Sequence, residues 1–487
     1  MASLEEIRKE RLNKLEVLKT IGRDPFPAKT ECDYSLKEVI AKFTELESSQ
    51  VLIHLAGRIM SIRGQGAIVF ITIFDGTESF QSLFKRDEMD EVAFKQFGET
   101  VDVGDFVGVA GTVFTSSRGE KTLKVSDWTM LAKSLRPLPE KWHGLQDEEE
   151  RFRRRYLDIL TNSEVRTMIE KRSKFWQTMR DFLLTRDFLE VDTPILENIA
   201  GGAEAKPFAT HHNALDLDVY LRISQELWLK RLIIAGLPKV FEIGRVFRNE
   251  GIDAEHAQDY THIEFYWAYA DYEMGMKLIE ELYQELAEKV FGTQKFTIKD
   301  FEIDLSKKWE LYDYVSIIKE KTDIDIKTVT LKEAETKLNE LGVVYDRQGF
   351  NLNRAIDNLW KYCRKQIAGP GFLINVPVSM EPLAKRRSDN PDFVERFQVI
   401  LAGSEMGKGF SELNDPIDQA GRFAEQTKLR EQGDEEAQMN DQDFVEALEY
   451  GMPPTFGFGV SERLFSFLMD KPIRETQIFP LMKPKQE

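Results

Sequence analysis

Between Phe241 and Tyr272 the chain reads FEIGRVFRNEGIDAEHAQDYTHIEFYWAYADY, apolar and polar positions alternating on either side of one polar loop. The alternation predicts two β-strands, because successive strand side chains point to opposite faces. In the first strand Glu242, Gly244, Val246 and Arg248 share a face, which Glu250 extends. In the second, Tyr260, His262, Glu264 and Tyr266 share one face, and Thr261, Ile263, Phe265 and Trp267 form the apolar other. A sheet that buries the apolar side gathers an arginine, several glutamates and two tyrosines on the opposite one. Such a set can hold a polyanion and an ammonium group together. A surface hairpin whose polar face meets water has the same period, and periodicity alone leaves the two readings level.

Elsewhere the pattern changes with position. Ile7, Leu12, Leu15 and Leu18 fall at helical spacing, and Gly22 and the Pro25–Pro27 segment end that helix, within a helical segment assigned to 1–50. Residues 51–135 hold five short strand-like runs, with one helical piece near Glu88–Phe97 between the third and fourth. Turn signals at Gly64–Gly66, Asp75-Gly76 and Ser116–Gly119 separate them. Five strands with a helix in that place predict an OB-fold, a barrel that often binds single-stranded nucleic acid. Residues 136–160 read as a linker, prolines giving way to an acidic run and then the basic Arg151–Arg155. Residues 161–487 mix long helices (Glu164–Arg186, Met274–Phe291, Asp415–Gln432) with scattered strands, and about 300–370 reads as a helix-rich insertion without chemistry. The fold class is therefore α+β, with a mainly antiparallel sheet flanked by helices in the large domain. Neither GxGxxG nor GxxxxGK[ST] occurs, so no Rossmann or P-loop nucleotide site is expected.

With 487 residues there is room for two or three domains and a large core. The two cysteines, Cys32 and Cys363, form no CxxC, which argues against a disulfide framework or cysteine zinc site and fits a reducing cytoplasm. The first residues are charged throughout, without the apolar core of a signal peptide, and the longest apolar runs are too short to span a bilayer. A net charge of -18 weighs mildly against a nucleic-acid partner. A local basic face can still provide one.

The stretch F-R-N-E-G, then His256, D-Y-T and E-x-Y resembles motif 2 of the class II aminoacyl-tRNA synthetases. FLEVDTPIL (Phe188–Leu196) resembles motif 1, which builds the dimer interface in that family, and Gly451–Asp470 resembles motif 3, which carries an arginine for ATP. The blocks GGAEAKPFATHHNALDLDVYLRISQELWLKRL (201–232), GFSELNDPIDQAGRF (409–423) and IFPLMKP (478–484) are similar to bacterial-type lysyl-tRNA synthetases. The likeness covers nearly the whole chain.

The resemblance implies that lysine attacks the α-phosphate of ATP and that the resulting lysyl-adenylate acylates the terminal ribose of tRNA(Lys). Such chemistry calls for aligned anions and fixed cations rather than a protein nucleophile. Arg248 would bridge carboxylate and phosphate, a task suited to its guanidinium fork, and Arg463 would grip the γ-phosphate. His256 would lie near the same phosphates, Tyr260 would stack on adenine and Glu250 would meet its amino group. For lysine, Glu412 would pair the ε-ammonium with Tyr266 and Glu264 as helpers, and Glu226 and the Gly202 backbone would receive the α-amino group. Magnesium would be held by Glu405, together with phosphate oxygens and Glu412. In the barrel, Arg63, Phe70, Gln81 and Glu120 match anticodon-reading positions, Phe70 being equally readable as a core aromatic. A cytoplasmic homodimer follows from the same likeness.

Departures from the family pattern cluster near the site. Motif 3, Gly457-Phe-Gly459-Val-Ser461-Glu462-Arg463, is one residue short, which flips the following side chains unless a bulge or helix start absorbs it. Gln398 replaces a second carboxylate for magnesium, and Lys408 an asparagine that helps hold the substrate carboxylate. In the motif 2 loop Ala257-Gln258-Asp259-Tyr260 replaces the usual Asn-Pro-Glu-Phe. The rival readings are an aspartate or asparagine ligase, towards which Lys408 leans, and a non-catalytic tRNA-binding paralogue. A protein-lysylating relative is a third, but such relatives generally lack the OB-fold.

Overall fold

The computed structural model describes residues 3–485 except 65, 140–144, 146, 252, 254, 346, 348, 349, 435 and 436; part of the expected linker at 136–160 lies outside them. The chain divides into two compact units, Met1–Thr161 and Asn162–Glu487.

In the first unit β1 (Ile53–Arg63), β2 (Ile68–Phe74), β3 (Ser79–Lys85), β4 (Phe106–Thr115) and β5 (Lys121–Ala132) close into a barrel of order β1-β2-β3-β5-β4. Alternation sorts their side chains. Ile71 and Ile73 are buried among Ile59, Val109 and Trp128. The residues between them turn outward. The helix Glu91–Thr100, capped by Asp90, adds Phe94 and Phe97 to that core, where Phe97 stacks on Phe84. Leu18 of the helix Leu4–Thr20 joins it too.

The second unit is built on a large sheet. Its strands are β6 (Leu189–Glu190), β10 (Lys239–Phe247), β11 (Asp259–Ala268), β14 (Glu310–Asp313), β15 (Gly371–Ile374), β16 (Arg396–Leu401), β17 (Ser404–Ser411) and β18 (Thr455–Ser461). They lie in the order β14-β15-β16-β17-β18-β11-β10-β6, antiparallel except for the outer pairs β14–β15 and β6–β10. A small sheet of β7 (Leu196–Glu197), β8 (Ala209–His212) and β9 (Leu217–Leu221) and a hairpin of β12 (Lys295–Ile298) and β13 (Phe301–Asp304) complete the strands.

The hairpin expected at 241–272 is β10–β11. Glu242 lies opposite Glu264, Gly244 opposite His262 and Val246 opposite Tyr260, so the polar positions of both strands share one face. Next to it, β18 alternates Phe456, Gly457, Phe458 and Gly459. The phenylalanines turn to the apolar side, where Phe458 packs on Phe265 and Phe456 stacks on Phe397. The helix Tyr272–Leu286 lies so close beneath that a Cβ on Gly275 would fall 2.2 Å from the Phe456 ring. The glycines fall on the opposite face, which they leave bare. The stretch 300–370 is less uniformly helical than its composition implies: it supplies β13, the edge strand β14 and the helices Tyr314–Thr322, Leu331–Glu340 and Leu352–Arg364.

Candidate active site

The bare polar face of the second unit is the floor of a cleft of about 570 Å³. Among its lining residues are Gly202, Glu226, Arg248, Glu250, His256, Tyr260, Glu264, Tyr266, Glu405, Lys408, Glu412 and Arg463, so every site residue expected outside the barrel meets one cavity.

One end of the cleft is acidic. Glu264 is fully engaged: its carboxylate accepts from Ser224 Oγ (2.5 Å), the Gln225 N–H (3.1 Å) and Tyr266 Oη (3.0 Å), and His262 Nδ1 lies 3.3 Å away. Burial pulls this carboxyl up, but His262 and the hydrogen bonds outweigh it and hold it below its ordinary range. Glu226 and Glu412 converge on a residue that no motif named, Lys230. Its buried ammonium is 2.6 Å from Glu226 Oε1 and in contact with Glu412 Oε2. Two carboxylates share one ammonium with Glu264 close by, so burial and mutual repulsion push Glu412 well up, and Glu226 up as well. Gly202, at φ +84°, brings its backbone against the start of the helix Glu226–Ile234, where a Cβ would fall 2.9 Å from Ser224 Oγ and Glu226 Cβ.

The other end is basic. The Arg248 guanidinium stands over the Tyr260 ring (5.7 Å) and donates to the Ile223 carbonyl at 3.4 Å. Glu242, six residues earlier in the chain, pairs instead with Arg222 at 2.6 Å, and among the described residues Arg248 makes no ion pair. Its charge thus has no protein counter-ion there, and only a long contact from Nε and Nη2 to one carbonyl stands against an incoming anion. Tyr260 is buried beneath it with His262 at its edge. His256 is anchored by Asp253 (2.8 Å), and Gln258 reaches back to the Glu250 carbonyl (3.5 Å).

The short motif 3 is absorbed where β18 passes into a helix. The register with β11 runs unbroken to His262 opposite Ser461, and Arg463 is the first residue of the helix Arg463–Leu468. Between them Glu462 is buried and held by Arg172, the Thr261 N–H (3.0 Å) and Gln477 (2.9 Å). Arg463 therefore still faces the cleft, in contact with Glu255 and 3.4 Å from the Glu405 carbonyl.

The substituted positions explain each other. Gln398 lies opposite Lys408 and accepts from Arg396, so a neutral amide stands where a carboxylate was expected. Glu381 takes Arg396 Nε at 3.0 Å and Lys408 Nζ at 3.4 Å, so one carboxylate answers two cations and the trio keeps a net positive charge. Glu405 accepts from Trp360 Nε1 at 2.6 Å. Burial raises its carboxyl, but the Arg364 charge and that hydrogen bond keep it low. The segment 300–370 thus reaches the cleft through Trp360 and Arg364, contrary to its expected idleness. Of the two carboxylates expected at magnesium, Glu412 has one oxygen on Lys230 and the other without a hydrogen-bond partner. Among the described residues no group of three or more acids, histidines or cysteines is arranged to hold a metal.

In the barrel, Arg63 lies opposite Phe70 and Thr72 opposite Gln81, while Ile71 between them points inward. Arg63, Phe70 and Gln81 therefore share the outer face. Phe70 is half-buried and absent from the core, Gln81 donates to Thr122 (2.9 Å), and Glu120 is exposed beside the start of β5.

Sequence reasoning missed Lys230, Glu255, Glu381 and Arg396. One signal was present. Glu226, Lys230 and Ile233 lie one turn apart on a helix rich in leucine, so a charged pair shares its buried stripe.

Comparison with known proteins gives two family matches: tRNA synthetases class II (D, K and N) over residues 147–483, and the OB-fold nucleic acid binding domain over 53–131. The chain is 45% identical to the lysine–tRNA ligase of Carboxydothermus hydrogenoformans, over 99% of each chain. It is 44% identical to that of Thermotoga sp. (strain RQ2), over 99% of this chain and 97% of the relative, and 44% identical to that of Clostridium acetobutylicum, over 99% and 95%.

Proposed function

The chain belongs to the class II tRNA synthetases (D, K and N), and from that premise we propose the reaction of its cleft. It is a lysine–tRNA ligase: it activates lysine with ATP and transfers it to tRNA. The observation that carries the lysyl assignment is the acidic slot of Glu226, Glu264 and Glu412, buried at one end of a cleft whose other end holds Arg248 and Arg463. An aspartate or asparagine side chain would meet carboxylates there. A buried carboxylate left without a cation is costly, so the slot rejects neutral and acidic side chains.

The roles read for the individual residues follow. Arg248 bridges the lysine carboxylate and the α-phosphate. Its lack of a counter-ion supports this, because an anion readily displaces the long contact to the Ile223 carbonyl, and parallel N–H donors suit both anions and place them side by side for in-line attack. As negative charge grows on the α-phosphate oxygens, the fixed guanidinium stabilises it without reorganisation. Arg463 and His256 take the terminal phosphates, Tyr260 and Glu250 the adenine. Glu226 and the Gly202 carbonyl region receive the α-amino group, Glu412 the ε-ammonium. Tyr266 and Glu264 form the wall behind them, and Lys408 lies on the side of the substrate carboxylate. Glu405, lying beside Arg463, offers one hard oxygen for Mg2+, the remaining positions falling to phosphate oxygens and water. When bound, that ion would neutralise phosphate charge.

On the barrel, Arg63, Phe70, Gln81 and Glu120 read the anticodon, Phe70 as a stacking platform. We further propose a homodimer through 188–196. A cytoplasmic location agrees with the two thiols being free; among the described residues no helix is long and apolar enough to cross a membrane.

Amino-acid-dependent ATP–pyrophosphate exchange tests the reading. Exchange is expected with lysine and not with aspartate or asparagine; exchange with aspartate alone would overturn it.

A further inference from the structure

The helix Glu226–Ile234 carries a lysine where a core residue is expected. Lys230 is fully buried, with Phe410 and Phe444 ring centroids 5.5 and 5.8 Å from its ammonium. A charge so placed persists only when it is compensated. Two carboxylates supply that compensation: Glu226 Oε1 at 2.6 Å, from one turn earlier, and Glu412 Oε2, from the end of β17.

What these contacts leave over is informative. Glu412 Oε1 is buried and has no hydrogen-bond partner. It faces the bare strip of β18, where a Cβ on Gly457 would come within 2.0 Å of it. Glu226 also lines the cleft, and only its Oε1 is engaged by Lys230. Glu264 has nothing to spare, its oxygens being shared among Ser224, Gln225 and Tyr266. Glu264 has His262 beside it, so Glu226 and Glu412 share the one ammonium of Lys230, and an arriving cation favours the ionised form of Glu412 that burial and Glu226 otherwise oppose. A diamino acid brings two ammonium groups, and its own carboxylate belongs to the Arg248 end.

We propose that Lys230 is a positioning and specificity residue: it pins one oxygen each of Glu226 and Glu412, aiming the free oxygen of each at one amino group of the substrate. The inference deepens the lysine reading above and rests on it. Lys230 spaces the two acceptors and keeps them from repelling one another out of the slot. A monoamine of equal length leaves Glu412 unanswered.

The test uses the full-length protein in pyrophosphate exchange, with lysine and ATP varied separately. Lys230→Met is expected to raise the KM for lysine about 100-fold, as losing one partner of a buried charge cluster does. The KM for ATP is expected to change less than about threefold. Lys230→Arg, which keeps the charge, is expected to recover most of the loss and also serves should the methionine variant melt early. In a Glu412→Gln background Lys230→Met is expected to add little, because the two act on one ammonium group. Equal rises in both KM values, or losses at Lys230 and Glu412 that simply add, would overturn the proposal. A wild-type protein that does not exchange with lysine would sink the ligase reading itself, and this inference with it.

Discussion

Arg463 meets Glu255, a residue of the hairpin loop, rather than solvent, and Lys299 stands 3.5 Å from the same carboxylate. Burial lowers the Arg463 pKa while the Glu255 charge works against that, as expected of a guanidinium waiting for an anion. A carboxylate so placed competes with the terminal phosphates of ATP. Glu255→Gln is expected to tighten ATP roughly threefold to tenfold, the worth of one partly buried ion pair, and equilibrium titration with ATP checks it. Glu197 makes a second case at this scale. One oxygen accepts from Trp228 Nε1 at 2.6 Å, the other is buried without a partner, and burial pushes the carboxyl up to about 8. Unfolded, the same group titrates near about 4.3. Between those values the folded protein keeps a proton that the unfolded chain has lost, so stability falls as pH rises through the window and levels off above it. Glu197→Gln removes this loss. The variant is expected to melt roughly 2 °C above the parent near pH 8, with the gap closing towards pH 5.

At the scale of elements, one strand decides whether the slot exists. In β18 the phenylalanines anchor the apolar side and the glycines open the cleft, a division that period two enforces. Gly457→Ala would place a methyl 2.0 Å from Glu412 Oε1 and 2.6 Å from Tyr266. Neither neighbour has room to yield, so lysine-dependent exchange is expected to fall at least about 100-fold while circular dichroism is unchanged. The outer face of β2 makes the complementary case. Phe70→Ala is expected to weaken tRNA charging about tenfold or more and leave exchange untouched; matched losses in both assays would return Phe70 to the core. These elements also mark what could be read in advance. The β10–β11 hairpin declares its polar face by alternation, so Glu264, Tyr266 and Arg248 were legible. Lys230 shows in the sequence only as an i, i+4 partner of Glu226 on a leucine-rich stripe; its second partner, Glu412, is far away in sequence, and no local period links a helix to a strand across the sheet. Trp360 was missed for the same reason: its helix reads as a plain amphipathic insertion, and only the fold brings its indole to Glu405.

For the whole molecule, charge and exposed apolar surface pull in different directions. A net charge of -18 disfavours polyanions on average, so the proposed anticodon face around Arg63 has to act as a local patch against the charge of the whole. Charge of that size also opposes self-association, yet the segment that resembles motif 1 exposes apolar side chains. Leu189 is 51% exposed and Leu196 48%, with Ile195 between them and Leu215 near the small sheet also open. The edge strand β6 lies in the same segment. Apolar side chains exposed along one segment, with a sheet edge in the same segment, are what a second copy of the chain would cover. The expected particle is a homodimer, twice the 56.4 kDa of one chain by sedimentation equilibrium. Leu189→Asp with Leu196→Asp places charge on both sides of the shared seam, where closing the interface would bury like charges against one another. That variant is expected to sediment as a monomer. Because motif 1 leads straight through Glu197 to the Gly202 turn that abuts Glu226, exchange is expected to fall with the dimer. A dimeric double variant would place the seam elsewhere on the molecule. A fully active monomer would separate the acidic slot from any dependence on a partner.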